Sequence, residues 1–302
     1  MNNRTGQNSV STETASMTLP PETNPANGTA HSKGSSGHAA GATSHSGVLI
    51  LNADDWGRDR NTSDRILDCI LRGTVSSTSA MVFMEDSERA AATAREREID
   101  AGLHLNFTTP FSASSSPAQL LKHQRRVSAY LNRHALAQVV FHPGLVDSFE
   151  YVVTAQIDEY RRIYGHAPRR LDGHHHMHLC ANVLLQGLLP AGTIVRRNFS
   201  FQAGEKNFWN RIYRKGVDGV LARRHRMVDC FFSLPPFEPQ LRLERILAVA
   251  RQSVVELETH PVNQDEYRFL MEDGVLRWTG NIPISPHFAM DGFEAIENGT
   301  SS

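Results

Sequence analysis

The period of apolar and polar positions changes repeatedly along the chain. Gly47–Asn52 (GVLILN) is an unbroken run of β-branched and leucine residues, the pattern of a strand covered on both faces. From Asn61 to Gly73 the apolar positions return at helical spacing, at Ile66, Cys69 and Ile70 with Leu67 and Leu71 beside them. Asn61 is placed to cap that helix and Gly73 to end it. Val75–Phe83, rich in Thr, Ser and Val, predicts a second strand. Asp86–Arg97 predicts a helix with an alanine face, and Asp100–Asn106 (DAGLHLN) a third strand. A Ser-rich loop, Phe107–Pro117, leads to helices over Ala118–Arg133 and Asp147–Tyr164, with Asp147 and Glu150 spaced as a capping box. Arg170–Asp172, Thr193–Arg196, Met227–Phe232 and Ser253–Thr259 predict the later strands. Strand and helix alternate with short connections, which implies a parallel sheet, open or closed into a barrel. In both forms the functional groups gather at the C-terminal ends of the strands.

The two ends of the chain break this rhythm. Met1–Ser46 is built from Ser, Thr, Asn, Gly, Ala and His, with only Met1, Val10, Met17 and Leu19 as large apolar residues. Such a segment cannot bury enough surface to offset its ordering entropy and is expected to be disordered. It has no basic stretch followed by an apolar one, so it does not read as a secretory signal. His31, His38 and His45 recur in it every seven residues, but nothing holds them in one geometry. From Asp291 the chain is expected to fray. Residues 47–290 remain, about the size of one α/β barrel domain.

Composition narrows the function. Lys plus Arg number 31 and Asp plus Glu 32, for a net charge of -1. That balance argues against a general nucleic-acid binder and against a protein held to membranes by a basic surface. No apolar run approaches the roughly 18 residues of a membrane helix. The 3 cysteines, Cys69, Cys180 and Cys230, are far apart and form neither a disulfide framework nor a CxxC site. A reducing, cytoplasmic location is expected. Histidine, with 15, is unusually frequent.

The chemistry sits at predicted strand ends. Asp54 and Asp55 follow the first strand (ILNADDWG); adjacent carboxylates repel unless a cation lies beside them. His104 ends the third strand (GLHL), facing away from Leu103 and Leu105. Asp172-Gly173-His174-His175-His176-Met177-His178 ends the fourth, with four histidines and an aspartate in seven residues. His260 follows a late strand (VVELETHP). All lie on one rim of the sheet. One carboxylate and two imidazoles make a three-ligand metal site with positions left for water or substrate. A second carboxylate can serve as base and a remote histidine as acid, which is the apparatus of metal-assisted hydrolysis.

Taken in order, NADDWG, the Val75–Ser79 strand, GLHL, DGHHHMH and ETHP resemble the YdjC-like carbohydrate deacetylases, over about Gly47 to Val262. The resemblance implies an α/β fold, a distorted (β/α) barrel of the polysaccharide-deacetylase type, and removal of acetyl from an N-acetylated sugar. It implies a divalent metal, usually magnesium, held by Asp55, His104 and His174, with Asp54 as base; which aspartate binds metal and which takes the proton stays open. His260 matches the family's late His-Pro and is expected to protonate the leaving amine. Arg196 matches an arginine at the end of a middle strand and is expected to help stabilise the oxyanion. Asp172 is expected to hold a ring N–H of a ligand histidine. Two imidazoles by themselves suit zinc or another transition metal better than magnesium, so the metal is left as divalent.

Trp56 stands where the family has Phe or Leu, and Val262 where it often has Gly; both concern the pocket rather than the reaction. Trp56 is expected to line that pocket, whereas Phe107, Phe111, Trp209 and Trp278 are expected mainly to pack. Two other functions fit the same residues: another metal-dependent amide or ester hydrolase on this scaffold, and a metal- or sugar-binding protein without turnover. The oligomeric state is open, a homodimer being one option.

Overall fold

A computed structural model of the chain describes residues 47–288, apart from 134, 202–207, 273 and 281. The expected tails, 1–46 and 291–302, lie outside the described residues. In chain order the elements are β1 (Val48–Trp56), α1 (Arg60–Leu71), β2 (Ser77–Ala80), α2 (Ser87–Glu96), β3 (Ala101–Leu105), α3 (Ala118–Leu131), α4 (Val146–Tyr164) and β4 (Arg170–Gly173). A 3₁₀ segment, His174–Leu179, leads into α5 (Ala181–Gln186). Then come β5 (Ile194–Val195), α6 (Phe208–Leu221), β6 (Cys230–Ser233), α7 (Gln240–Ala250), β7 (Val254–Thr259), α8 (Gln264–Met271) and α9 (Gly274–Thr279).

The strands form one sheet in the order β5-β4-β3-β2-β1-β7-β6, and every pair is parallel. The sheet curls toward a barrel. Its edges meet through a bridge between Ile194 and Arg226, and Ser200 N donates to Phe231 O at 2.7 Å. The fold is therefore α/β, a distorted (β/α) barrel, as expected.

Alternation along each strand separates two environments. Leu49, Leu51 and Ala53 of β1 and Val255 and Leu257 of β7 face the helices and belong to the main apolar core, with Ile66, Phe149, Val152 and Ile246. The opposite face is polar. Asn52, Asp54, Ser79, His104, Asp172, Glu256 and Glu258 are all buried there, where a barrel interior is ordinarily filled with branched apolar residues. Ile50, Phe231, Val228 and Phe288 make a small apolar cluster on this inner side. Gly102 of β3 leaves room for a charged neighbour: a Cβ there would lie 2.8 Å from Arg170 Nε. Arg170 uses that space to donate to Thr78 O at 2.9 Å and Asp100 Oδ1 at 3.0 Å.

Two predicted caps differ. The α1 cap is Asp59, whose Oδ1 accepts from Thr62 N at 2.8 Å, so the helix starts before Asn61. Asp147 does not cap α4: a 3₁₀ turn, Pro143–Leu145, runs straight into the helix and makes Leu145 its cap. Trp56 does not line a pocket. It is buried among the apolar residues between sheet and helices.

Candidate active site

Successive strand residues point to opposite faces, so Asp54 and Asp55 should diverge. They do not. The β1–β2 register is irregular between Ala53 and Trp56, and Asp55 takes a left-handed backbone with φ 72. A bulge of this kind re-aims a side chain, and aspartate tolerates the conformation better than most residues. Both carboxylates thus reach the interior and are buried there.

Asp55 meets two histidines. Its Oδ1 lies 3.4 Å from His104 Nε2 and 2.9 Å from His174 Nδ1. Its Oδ2 accepts from Arg58 Nη1 at 2.9 Å. The three facing ligand atoms of Asp55, His104 and His174 lie within 4.8 Å of one another. His104 and Asp172 are register partners across β3 and β4, and His104 Nδ1 donates to Asp172 Oδ1 at 2.8 Å. That bond leaves Nε2 as the ring atom facing Asp55. Asp55 Oδ1 and His104 Nε2 are buried without a hydrogen-bond partner. Orphaned buried groups are costly, and one cation between these atoms and His174 would satisfy them. Carboxylate plus two imidazoles is also the donor set of an open metal site.

The histidine run spreads in four directions. His174 turns to Asp55. His175 Nδ1 lies 3.0 Å from the Thr108 hydroxyl. His176 packs against Phe199 and Phe231 and lies 3.4 Å from Glu258 Oε2. His178 donates from Nε2 to the Arg196 carbonyl at 2.9 Å. His175 and His176 have φ 55 and 58, a left-handed pair costing on the order of 1–3 kcal/mol each outside glycine. Gly173 permits the tight return: a Cβ there would be 3.0 Å from His178 Cβ and N.

Asp54 belongs to a different group. Arg196 donates to both its oxygens, Nη1 to Oδ2 at 2.6 Å and Nη2 to Oδ1 at 2.8 Å, and Asn52 Nδ2 donates to Oδ1 at 2.9 Å. Arg196 Nε donates to Glu256 at 2.7 Å, Nη1 lies 3.4 Å from Glu258, and Nη2 is 2.8 Å from Asp172. The guanidinium thus ties β1, β4 and β7 together and spends its N–H groups on carboxylates. It orients Asp54; the expected direct contact with an oxyanion has no N–H assigned to it. Asp54 also forms close groups with Glu258 and His260 and with His104 and Asp172, but Arg196 already supplies its cation.

His260 sits at the end of β7, half-buried. Its backbone N–H is fixed by Glu266 at 2.8 Å, and its Nδ1 is 3.9 Å from Glu258 Oε1.

The electrostatics follow this layout. Burial raises the Asp55 carboxyl, but the close ring nitrogens and charge of His104 and His174 outweigh it and hold it well below the usual range. For Asp172, burial is overcome by Arg196 and His104, again to a value below the usual range. Burial would lower His104, yet Asp54 and Asp172 push it well above normal. Glu258 is raised by burial and by Asp54. Burial pushes His176 well down and His178 to about 4.

Glu256 and Glu258 did not stand out in the sequence. In VVELET they look like the wet face of a strand, but a parallel strand with helices outside turns that face into the barrel. Of the expected site residues, Asp54, Asp55, His104, His174, Arg196 and His260 all converge on this rim; Trp56 does not.

The family profile described as YdjC-like protein matches residues 48–279. A chitooligosaccharide deacetylase of Proteus mirabilis is 30% identical over 132 residues, 44% of this chain and 50% of that protein. A carbohydrate deacetylase of Mus musculus is 28% identical over 141 residues, 45% of this chain and 44% of that one. The chain thus spans about half the length of the curated relatives it matches. A crystal structure from Enterococcus faecalis, of a protein named provisionally for cellobiose-phosphate cleavage, superposes with a TM-score of 0.51 at 20% identity, covering 78% of this chain and 92% of that one. That likeness concerns the fold.

Proposed function

The chain belongs to the YdjC-like protein family, and from that premise we propose that it is a metal-dependent hydrolase that removes the N-acetyl group of an acetylated amino sugar or oligosaccharide and releases acetate. The observation that carries this reading is the pair of orphaned buried atoms, Asp55 Oδ1 and His104 Nε2, facing His174 Nδ1. Asp55, His104 and His174 would hold the divalent ion. Such an ion supplies an acidified water, with a pKa lowered from ~15.7 toward ~7, and a Lewis-acid contact for a carbonyl oxygen.

The protein's own groups handle the protons. Asp172 accepts from His104 Nδ1 and so presents Nε2 as the ligand atom. Asp54, held by Arg196 and Asn52, takes the proton of the attacking water. Carbon–oxygen bond formation at the acetyl carbonyl is followed by carbon–nitrogen cleavage, and the departing sugar nitrogen must gain a proton. His260 supplies it, with Glu258 beside its ring. The products are acetate and a free amine. Magnesium follows from the family resemblance and zinc from the imidazoles. The 3 cysteines are unpaired, which suits a reducing, cytoplasmic setting.

Acetate release from N-acetylglucosamine oligomers, measured with protein stripped by chelator and then reloaded with magnesium or zinc, tests the reading. Release that needs the reloaded ion is expected. Release that survives stripping, or none from any acetamido sugar, sinks it.

A further inference from the structure

Helix α6 turns the apolar Val217 and Leu221 onto the core in its second half, but polar groups inward in its first. Its inward positions in the first half are Asn210 and Arg214: Arg214 Nε donates to Asn210 Oδ1 at 2.7 Å, Nη1 reaches Asn198 Oδ1 at 3.4 Å, and its guanidinium lies 4.7 Å over the Phe201 ring. Asp218, one turn on, receives Arg197 Nη2 at 2.8 Å and Asn198 Nδ2 at 3.2 Å. These polar groups tie the helix to the segment that begins at Arg196, while Val217 and Leu221 pack it on the core. The outward face of its first half combines large apolar residues with Arg211 and Lys215. Phe208, Trp209, Ile212 and Tyr213 are 67%, 75%, 46% and 42% exposed. Among amphipathic surface helices the reverse is usual, and large aromatic residues rarely gather in water without a partner.

Charge selects the occupant. Between Phe208 and Arg226 the sequence carries six Arg and Lys residues and one acid, Asp218, which Arg197 and Asn198 already hold. Arg211 and Lys215 are exposed among the aromatics. The overall charge of -1 does not cancel this patch, because fields at physiological salt decay over ~8 Å. A second copy would bring Arg211 and Lys215 against their own counterparts. An anionic bilayer presents the opposite charge and an apolar layer beneath it, the two things this face offers to bind. We propose that α6 is an interfacial anchor that seats the protein on anionic membrane surfaces through Phe208, Trp209, Ile212 and Tyr213, with Arg211 and Lys215 at the headgroups. Asn198, two residues after Arg196, bonds to the inward side of the same helix, which joins the anchor to the segment that carries Arg196. The proposal stands whether or not the site is a deacetylase.

Flotation of the full chain with vesicles tests it, using phosphatidylcholine mixed equally with phosphatidylglycerol against phosphatidylcholine alone. Binding to the anionic vesicles, weakened by salt and accompanied by a blue shift of tryptophan emission, is expected. Trp209→Ser combined with Ile212→Ser should weaken binding by about tenfold or more with an unchanged circular dichroism spectrum. Arg211→Glu with Lys215→Glu keeps the apolar face and should abolish the preference for anionic lipid, each cation being worth about fivefold. No binding by the wild type, or binding indifferent to both double variants, overturns the proposal. So does a wild-type dimer in sedimentation velocity that the serine variant disperses while no vesicle binds, which would make the face a contact between copies.

Discussion

Asp172 holds His104 with one oxygen and Arg196 with the other, each at 2.8 Å. One buried carboxylate therefore sets the tautomer of a candidate metal ligand and helps place the guanidinium that orients the candidate base. Ser79 Oγ donates to the Arg196-facing oxygen as well, at 2.5 Å, so the Asp172 carboxylate is fully used.

Asp172→Asn removes one acceptor and puts an N–H in its place. Either His104 or Arg196 then faces a donor. Metal affinity should fall about 10–100-fold, as when other partners of ligand histidines are changed. Isothermal titration of the stripped variant with zinc measures this, and an unchanged dissociation constant would separate Asp172 from the site.

The four histidines of the run should differ. His174→Ala and His104→Ala should lose bound metal and activity together, since a three-ligand site cannot spare a member. By contrast His178→Ala should keep its metal, because His178 bonds the Arg196 carbonyl instead. Its loss should show as a melting temperature lowered by a buried cavity and an unpaired carbonyl. Metal content and thermal melts read both. Full occupancy in His174→Ala would shift the ligand to a neighbour in the run.

Base and acid separate by leaving group. Asp54→Asn keeps the Arg196 contact in part but cannot take a proton, so turnover should drop ~100-fold to ~10,000-fold on every substrate. His260→Ala should be crippled on acetamido sugars, whose amine needs a proton to depart. On a nitrophenyl acetate it should keep much of its rate. Equal loss on both substrates would make His260 a structural residue of the rim.

Acid should expose His178. Burial holds it at about 4 in the folded chain against an ordinary 6.5. The unfolded chain therefore gains a proton first as pH falls. The associated stability is complete above 6.5 and is lost between 6.5 and about 4, by roughly 3 kcal/mol at most. Glu258, raised from 4.5 by burial and by Asp54, acts in the opposite sense: its contribution is present below 4.5 and lost as pH rises. The difference between the wild type and His178→Gln isolates the histidine. Denaturant midpoints for the two proteins that run parallel between pH 6.5 and 4 would contradict the assignment.

Local pattern determined much of this protein. GVLILN, GLHL and the other short apolar runs mark strands because a parallel sheet sheathed in helices needs apolar residues along its outer face. Their alternation with helical periods implies the α/β class, and that class sends NADDWG, GLHL, DGHHHMH and ETHP to one rim. Tertiary structure decided the rest. Asn61 and Asp147 had capping chemistry, but Asp59 and the Pro143–Leu145 turn set where the helices begin. Alternation alone would send Asp54 and Asp55 to opposite faces; a bulge in the β1–β2 register turns both inward. Four similar histidines acquired four different partners through the fold of a short 3₁₀ segment. Glu256 and Glu258 become part of the site only because the sheet curls around Arg196. The two helix starts were settled by near neighbours, but the other deciding contacts join residues tens of positions apart, and a short window of sequence carries no information about which distant side chain will occupy the space beside it.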